Sequence, residues 1–295
     1  GTGFIGYHIA KEGIKKGLDV YSLSKNPPSP NRYLDQVEYI NIDLLDQESL
    51  KILKNIEINF VVNSIGYVDH TLMKDGGDEV FKNHFLATKN LIFSLNREYL
   101  KCFLHLGSSD EYGVNPSPQL EVLREAPISP YSFAKVATCH FLQMLHRTEK
   151  FPAAILRLFL VYGPNQNKER FLPYIINESI KNREYNVSPG EQIRDFCYID
   201  DIVRAVFVAL NKEKILGEIL NIASGNPVKI NKMVNLIVQI LNKGRPVIGG
   251  IDYRDNESMN LYASVKKAKD LLGWEPQVSL EDGLTKTIEY FKDNG

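Results

Sequence analysis

Residues 1–10 read GTGFIGYHIA, and the reading of this stretch decides the fold. Gly1, Gly3 and Gly6 spell G-x-G-x-x-G. An apolar periodicity starts at once, with Ile5, Ile9 and Ile14 on one side and Gly17 as a stop, which predicts a helix over 4–17. Backbone N–H groups at a helix N-terminus attract phosphate, and glycines let another molecule come close. The pattern is that of a dinucleotide-binding loop, which ordinarily follows a β-strand. Nothing stands before Gly1 in the sequence, so the competing reading is a flexible start to a helix.

The rest of the chain supports the first reading. Residues 19–24, 37–42, 59–64, 101–106 and 153–159 read as strands, and 46–54, 79–96 and 131–148 as helices. Such alternation predicts an α/β fold with a doubly wound parallel (Rossmann) sheet. After about residue 162 the pattern loosens. Residues 1–161 are expected to form the dinucleotide-binding domain. Residues 162–295 are expected to form a smaller α+β lid over the substrate, with some segments returning to the sheet. Ligands of such sheets lie at the carboxyl ends of the strands.

Composition narrows the classes. The chain has 295 residues, 43% hydrophobic and 24% charged, with a net charge of −1. That balance is ordinary for a soluble enzyme and speaks for neither nucleic acid nor an anionic membrane as partner. Cys102, Cys139 and Cys197 are scattered, as in a reducing compartment, and fit neither a disulfide framework nor a zinc site. No apolar run approaches the roughly 20 residues that span a bilayer.

Four features lie where chemistry is expected. Asp43 ends the strand VEYINI and is placed to accept from an adenine amine, or to cap the following helix. The strand DVYSLS ends in Ser24 and Lys25, with Arg32 further on, and has no acidic residue for a ribose 2′-hydroxyl. A hydroxyl and cations suit a 2′-phosphate, so NADP(H) is favoured over NAD(H). Tyr131 and Lys135 in SPYSFAKVA share a helix face. An ammonium beside a phenol lowers its pKa from about 10, giving a proton donor or acceptor for an alcohol–ketone interconversion. Ser108-Ser109 follow the strand KCFLHL, where a hydroxyl can hold a substrate oxygen. Each has a plain alternative: a solvated loop, an ordinary helix pair or a serine-rich turn.

The chain resembles the extended short-chain dehydrogenase/reductase family of nucleotide-sugar epimerases, dehydratases and ketoreductases. The resemblance runs through TGFIGYHIA, NIDLLD around Asp43, Asn83 with Thr88-Lys89-Asn90-Leu91, SSDEYG at 108–113, PYSFAK at 130–135, LRLFLVYGP at 156–164, RDFCYIDD at 194–201 and LLGWEP at 271–276. It implies that Gly3 and Gly6 are the second and third glycines of the family's loop, and that the first glycine and its strand lie before Gly1. It makes Ser109, Tyr131 and Lys135 the catalytic triad, with Ser108 competing for the serine. Gly3, Phe4, Ile5, Gly6, Ser24, Lys25, Arg32, Asp43, Leu44, Ser64, Ile65 and Gly66 would then line the cofactor. Ser108, Asp110, Glu111, Arg194 and Arg254 would meet the nucleotide sugar, the two arginines at its diphosphate. Leu160 stands where the family often has an asparagine on the phosphates, and the resemblance implies that Tyr67–His70 line the sugar pocket.

The family's branches share hydride transfer at a sugar carbon. Dehydratases add an Asp-Glu acid–base pair. In SSDEYG the Asp110-Glu111 pair matches it from the left, whereas alignment on Tyr-Gly leaves the stretch one residue short, as in 4-ketosugar reductases. The expectation is an NADPH-dependent reductase of 4-keto-6-deoxy nucleotide sugars. The alternatives are a 4-epimerase with tightly bound NAD, a 4,6-dehydratase and a non-catalytic NADP-binding regulator. By resemblance the protein is a cytoplasmic homodimer joined through helices 79–96 and 131–148. The latter carries Phe133, Val136, His140, Phe141 and Met144. His8, His84, His105, His140 and His146 lack metal-type spacing and read as structural.

Overall fold

The computed structural model describes residues 1–253 and 257–294. In chain order its first half runs α1 (Phe4–Lys15), β1 (Val20–Ser24), β2 (Val37–Asn41), β3 (Phe60–Asn63), α2 (Gly77–Phe81), a π-helical turn (Lys82–Leu86), α3 (Ala87–Ser94), β4 (Cys102–Ser108), α4 (Pro130–Glu149) and β5 (Ala153–Leu158). The second half runs β6 (Leu160–Tyr162), α5 (Phe171–Ile180), β7 (Glu184–Val187), β8 (Ile193–Arg194), β9 (Phe196–Tyr198), α6 (Ile199–Leu210), β10 (Ile219–Ile222), β11 (Val228–Lys229), α7 (Ile230–Leu241), β12 (Arg245–Ile248), β13 (Asn260–Leu261), α8 (Lys266–Leu272) and α9 (Leu280–Asn294).

The main sheet is parallel, in the order β10-β5-β4-β3. β1 and β2 form a separate parallel pair. Both faces of the main sheet are covered, as a parallel sheet requires. Alternate residues of one strand enter opposite cores, because successive Cβ atoms point to opposite faces. Phe103 and Ile155 pack with Leu91, Ile92, Leu142 and Leu145. Leu104, Leu106, Leu156 and Leu158 pack with Ile202, Val206, Trp274 and Phe291.

Two expected helices differ. Over 46–54 the chain forms a 3₁₀ segment, Ser49–Asn55, which buries only Leu50 and Leu53. The helix expected over 79–96 is broken by the π turn, and periodicity alone does not reveal one extra residue in a turn. β10 comes from the C-terminal part of the chain yet pairs with β5. The remaining short ladders, β11-β8-β13, β12-β7 and β6-β9, lie after residue 159.

Candidate active site

The carboxyl ends of β3 and β4 and the start of α4 converge. Helix α4 begins at a set place. Ser129 caps it through a reciprocal box with Ser132, and Pro130 occupies the first turn. Tyr131 is therefore held in the first turn and Lys135 one turn deeper, 6% and 5% exposed. The Lys135 Nζ donates to the carbonyls of Ile65 (3.2 Å) and Leu106 (3.0 Å), so it is tied to both strand ends. An ammonium has three protons, and one is left over.

The phenol of Tyr131 differs from expectation. Its pKa is raised, by burial first and then by Asp110, while a hydrogen bond with Ser108 works the other way. Lys135 holds the two carbonyls and does not counter this rise. The hydroxyl beside Tyr131 is thus that of Ser108. Ser109, expected as the catalytic serine, is 3% exposed and starts the 3₁₀ turn Ser109–Tyr112. The physical reason is the strand's length: β4 runs through Ser108, which leaves that residue last in line at the carboxyl end of the sheet.

The two carboxylates separate. Asp110 is half-buried beside the mouth, with Oδ2 3.8 Å from Nε2 of His70. Burial raises its pKa, and His70, Arg170 and Arg194 act in the opposite direction. Glu111, expected against substrate, is fully buried. It accepts the Ser108 N–H (2.7 Å) and pairs with Arg157 (2.7 Å), itself fully buried and also paired to Glu125 at 2.9 Å. That expectation is corrected: Glu111 is enclosed in the fold, with its oxygens on Ser108 and Arg157.

Two imidazoles flank the Tyr131 ring edge-on. His84 is 5.2 Å and His70 5.9 Å from it, centroid to centroid. His84 reads as structural in the sequence, and its place depends on the π turn, for which the sequence offers no periodic signal. Arg170, which no motif singled out, also acts electrostatically on Tyr131 and Asp110.

The glycine loop suits an anion. Gly3 precedes α1 with no side-chain cap, which leaves the first N–H groups of the helix free. A Cβ on Gly3 would meet no protein atom, whereas one on Gly6 would press on the Gly1 backbone. Phe4 and Ile5 open the helix and pack on the core. Ser64, Ile65 and Gly66 follow β3, and the Ile65 N–H donates to the Asn63 side chain.

The cations expected at a 2′-phosphate are already engaged. Lys25 pairs with Asp43 at 2.8 Å, which lowers the carboxyl and raises the ammonium. The Ser24 hydroxyl donates to Asn26 O. Arg32 turns to the Asn165 carbonyl (2.7 Å) and the Asn167 amide oxygen. Asp43 also accepts the Leu45 N–H, and Leu44 receives a bond from Asn90. Arg194 is 8% exposed and pairs with Glu257; the neighbouring Asp195 is taken up by Ser224 and Gly225. Arg254 lies outside the described residues. Among the described residues no group of three His, Cys, Asp or Glu side chains is arranged for a metal, and no helix is long and apolar enough to cross a membrane.

Known proteins share this fold. UDP-glucuronate 4-epimerase from Thermodesulfobacterium geofontis is 29% identical over 99% of this chain and 94% of its own length. Human dTDP-D-glucose 4,6-dehydratase is 27% identical over 87% of this chain and 75% of its own. The crystal structure of UDP-glucose 4-epimerase from Thermotoga maritima with UDP-glucose superposes with a TM-score of 0.92, at 26% identity, covering 100% and 97% of the two chains. UDP-glucuronic acid 4-epimerase from Bacillus cereus, in complex with UDP-glucuronic acid and NAD, gives 0.88 at 26% identity over 100% and 98%. The family model of NAD dependent epimerases and dehydratases matches residues 1–223, and the chain belongs to that family, of the extended short-chain dehydrogenase/reductase type.

Proposed function

We propose that the protein is a nucleotide-sugar 4-epimerase working with a retained NAD. The observation that carries this reading is the separation of Asp110 from Glu111. Ser108 and a single carboxylate, Asp110, act on Tyr131, while Glu111 is withdrawn into its pair with Arg157. Expelling water in a 4,6-dehydration needs an acid and a base besides the tyrosine. An epimerisation needs only the tyrosine and a hydride acceptor. The similarity to the 4-epimerases points the same way. The 4-ketoreductase expectation leaned on NADP, and Lys25 and Arg32 are bound elsewhere in the chain.

The residues divide the work. The free N–H groups of α1 take the dinucleotide's phosphates, with Gly3 leaving room for them. Lys135 offers its remaining proton to the nicotinamide ribose. NAD, when bound, would accept the hydride from the sugar's C4 and give it back to the ketone, so it is unchanged over a turnover. Ser108 holds the sugar's O4 while Tyr131 accepts its proton. The same tyrosine returns the proton once the 4-ketone has presented its other face, so no proton is gained or lost over a turnover. Arg194 and Arg254 take the diphosphate, for which a planar guanidinium is suited. Residues 1–161 carry the dinucleotide and 162–295 most of the sugar contacts.

A cytoplasmic homodimer completes the reading. Phe81 stacks on Phe133 and Phe85 packs against Phe141, and Phe133 and Phe93 remain about half exposed on adjoining helices. Light scattering on size-exclusion fractions, with Phe133→Glu as the disrupting variant, tests that surface.

The decisive experiment releases the bound nucleotide with acid, identifies it by mass spectrometry, and incubates the enzyme with UDP-glucose and UDP-glucuronate. C4 epimers by NMR with no consumption of added nicotinamide are expected. A 4-keto-6-deoxy product would establish the dehydratase instead. Stoichiometric loss of NADPH on a 4-keto-6-deoxy nucleotide sugar would establish the reductase.

A further inference from the structure

His84 is the middle residue of the π turn Lys82–Leu86, which separates α2 from α3. A π turn carries one residue more than an α-helical turn, at a cost in hydrogen-bond geometry, and is found disproportionately at functional sites. Here it presents an imidazole to the Tyr131 ring, edge-on at 5.2 Å and 81°.

The histidine is fastened at both ends. Its Nε2 meets the Tyr67 carbonyl (3.1 Å) and N–H (3.4 Å), one or the other according to tautomer. Its own carbonyl accepts from the Thr88 hydroxyl at 2.7 Å, and that hydroxyl accepts from Asn63 at 3.0 Å. Asn63 also receives the Ile65 N–H. Gly66 lies flat against the ring: it has φ +121°, and a Cβ there would run into the imidazole. The 65–67 segment therefore touches Lys135 and reaches Tyr131 through His84. Ile65 O holds Lys135 directly, and Gly66-Tyr67 hold Tyr131 through His84. Among the described residues His84 Nδ1 is buried with no hydrogen-bond partner.

We propose that His84, displayed by the π turn, is a positioning residue that locks the ring of Tyr131 to the loop carrying Lys135's carbonyl partner, so that phenol, ammonium and cofactor loop move as one unit. The inference rests on Tyr131 being the proton-transferring group.

Three variants test it: His84→Phe keeps the ring and loses the Tyr67 tether, His84→Gln keeps a polar reach and loses the ring, and Tyr131→Phe reports on the underlying reading. Each is assayed as the full chain with its retained nucleotide, by sugar-nucleotide C4 epimerisation and by single-turnover reduction of the nicotinamide. Misplacement by an ångström costs up to about 100-fold in rate. Both His84 variants are expected to lose tenfold or more in kcat and in the single-turnover rate. Nucleotide content per folded chain and KM for UDP-sugar should stay within about twofold, and His84→Phe should keep the higher rate because ring contact is retained. If His84 only supports the fold, melting temperature and active fraction fall while kcat per nucleotide-loaded site is unchanged, and the proposal is overturned. Unchanged kcat in both variants with a dead Tyr131→Phe likewise overturns it and leaves the tyrosine reading intact. Activity surviving in Tyr131→Phe overturns that reading first.

Discussion

Arg157 and Glu111 face each other at 2.7 Å with both side chains fully removed from solvent, and Glu111 spends its other oxygen on the N–H of Ser108. The guanidinium also lies over the Tyr112 ring at 4.3 Å and reaches Glu125. A structural pair therefore sets the position of the residue that meets Tyr131. Removing one partner of a buried pair leaves an uncompensated charge and costs about 3–5 kcal/mol. Glu111→Gln should lower the unfolding free energy by an amount of that order. The double change Glu111→Leu, Arg157→Leu should recover a good part of it. A single variant as stable as the parent in urea titrations would show that the pair is not the anchor.

Burial pushes His84 down to about 3 and places His105 well below the ordinary imidazole range. The unfolded chain takes up these protons near 6.5 and the folded one does not, so stability falls as pH drops below 6.5. At pH 5 each such histidine withdraws about 2 kcal/mol relative to neutral pH. The loss runs on toward pH 3 for His84, and nothing is lost above about pH 7. Urea denaturation at pH 7 and pH 5 should show this slope, and His84→Phe should reduce it. An equal slope in parent and variant would contradict the burial of a neutral imidazole.

Lys25 and Asp43 form an exposed pair, and such pairs contribute only about 0–1 kcal/mol. Asp43→Asn should leave stability nearly unchanged. It frees Lys25, so the ratio of NADP to NAD affinity should rise by about two- to fivefold, the range that such a pair energy allows. Calorimetric titration with both dinucleotides measures the ratio. A variant that gains nothing for NADP would place Lys25 away from the ribose.

Arg194 is held by Glu257. A diphosphate that takes this guanidinium competes with the carboxylate. Glu257→Gln should lower KM for the nucleotide sugar severalfold with kcat little changed. Arg194→Met should raise KM by about tenfold or more, the size of a lost charge-assisted hydrogen bond. An Arg194→Met enzyme with unaltered KM would remove this residue from the diphosphate site.

Local sequence was sufficient for most of the architecture. The glycine spacing with its helix, the strand–helix alternation and the capped Ser129-Pro130-Tyr131 start of α4 depend on neighbours within a few residues, where periodicity and capping act. Tyr131 and Lys135 were legible for the same reason, since four residues on a helix is one turn. Tertiary structure decided what those groups meet. Whether Ser108 or Ser109 faces the phenol turned on where β4 ends against β5. Asp110 and Glu111 parted because Arg157, 46 residues away, claimed one of two adjacent carboxylates. Lys25 was paired by Asp43 across the β1–β2 ladder, and His84 was brought to Tyr131 by a turn of irregular pitch. Charges and rings find partners through the packed fold, and a sequence read one neighbourhood at a time carries residue types and spacings but not those partners.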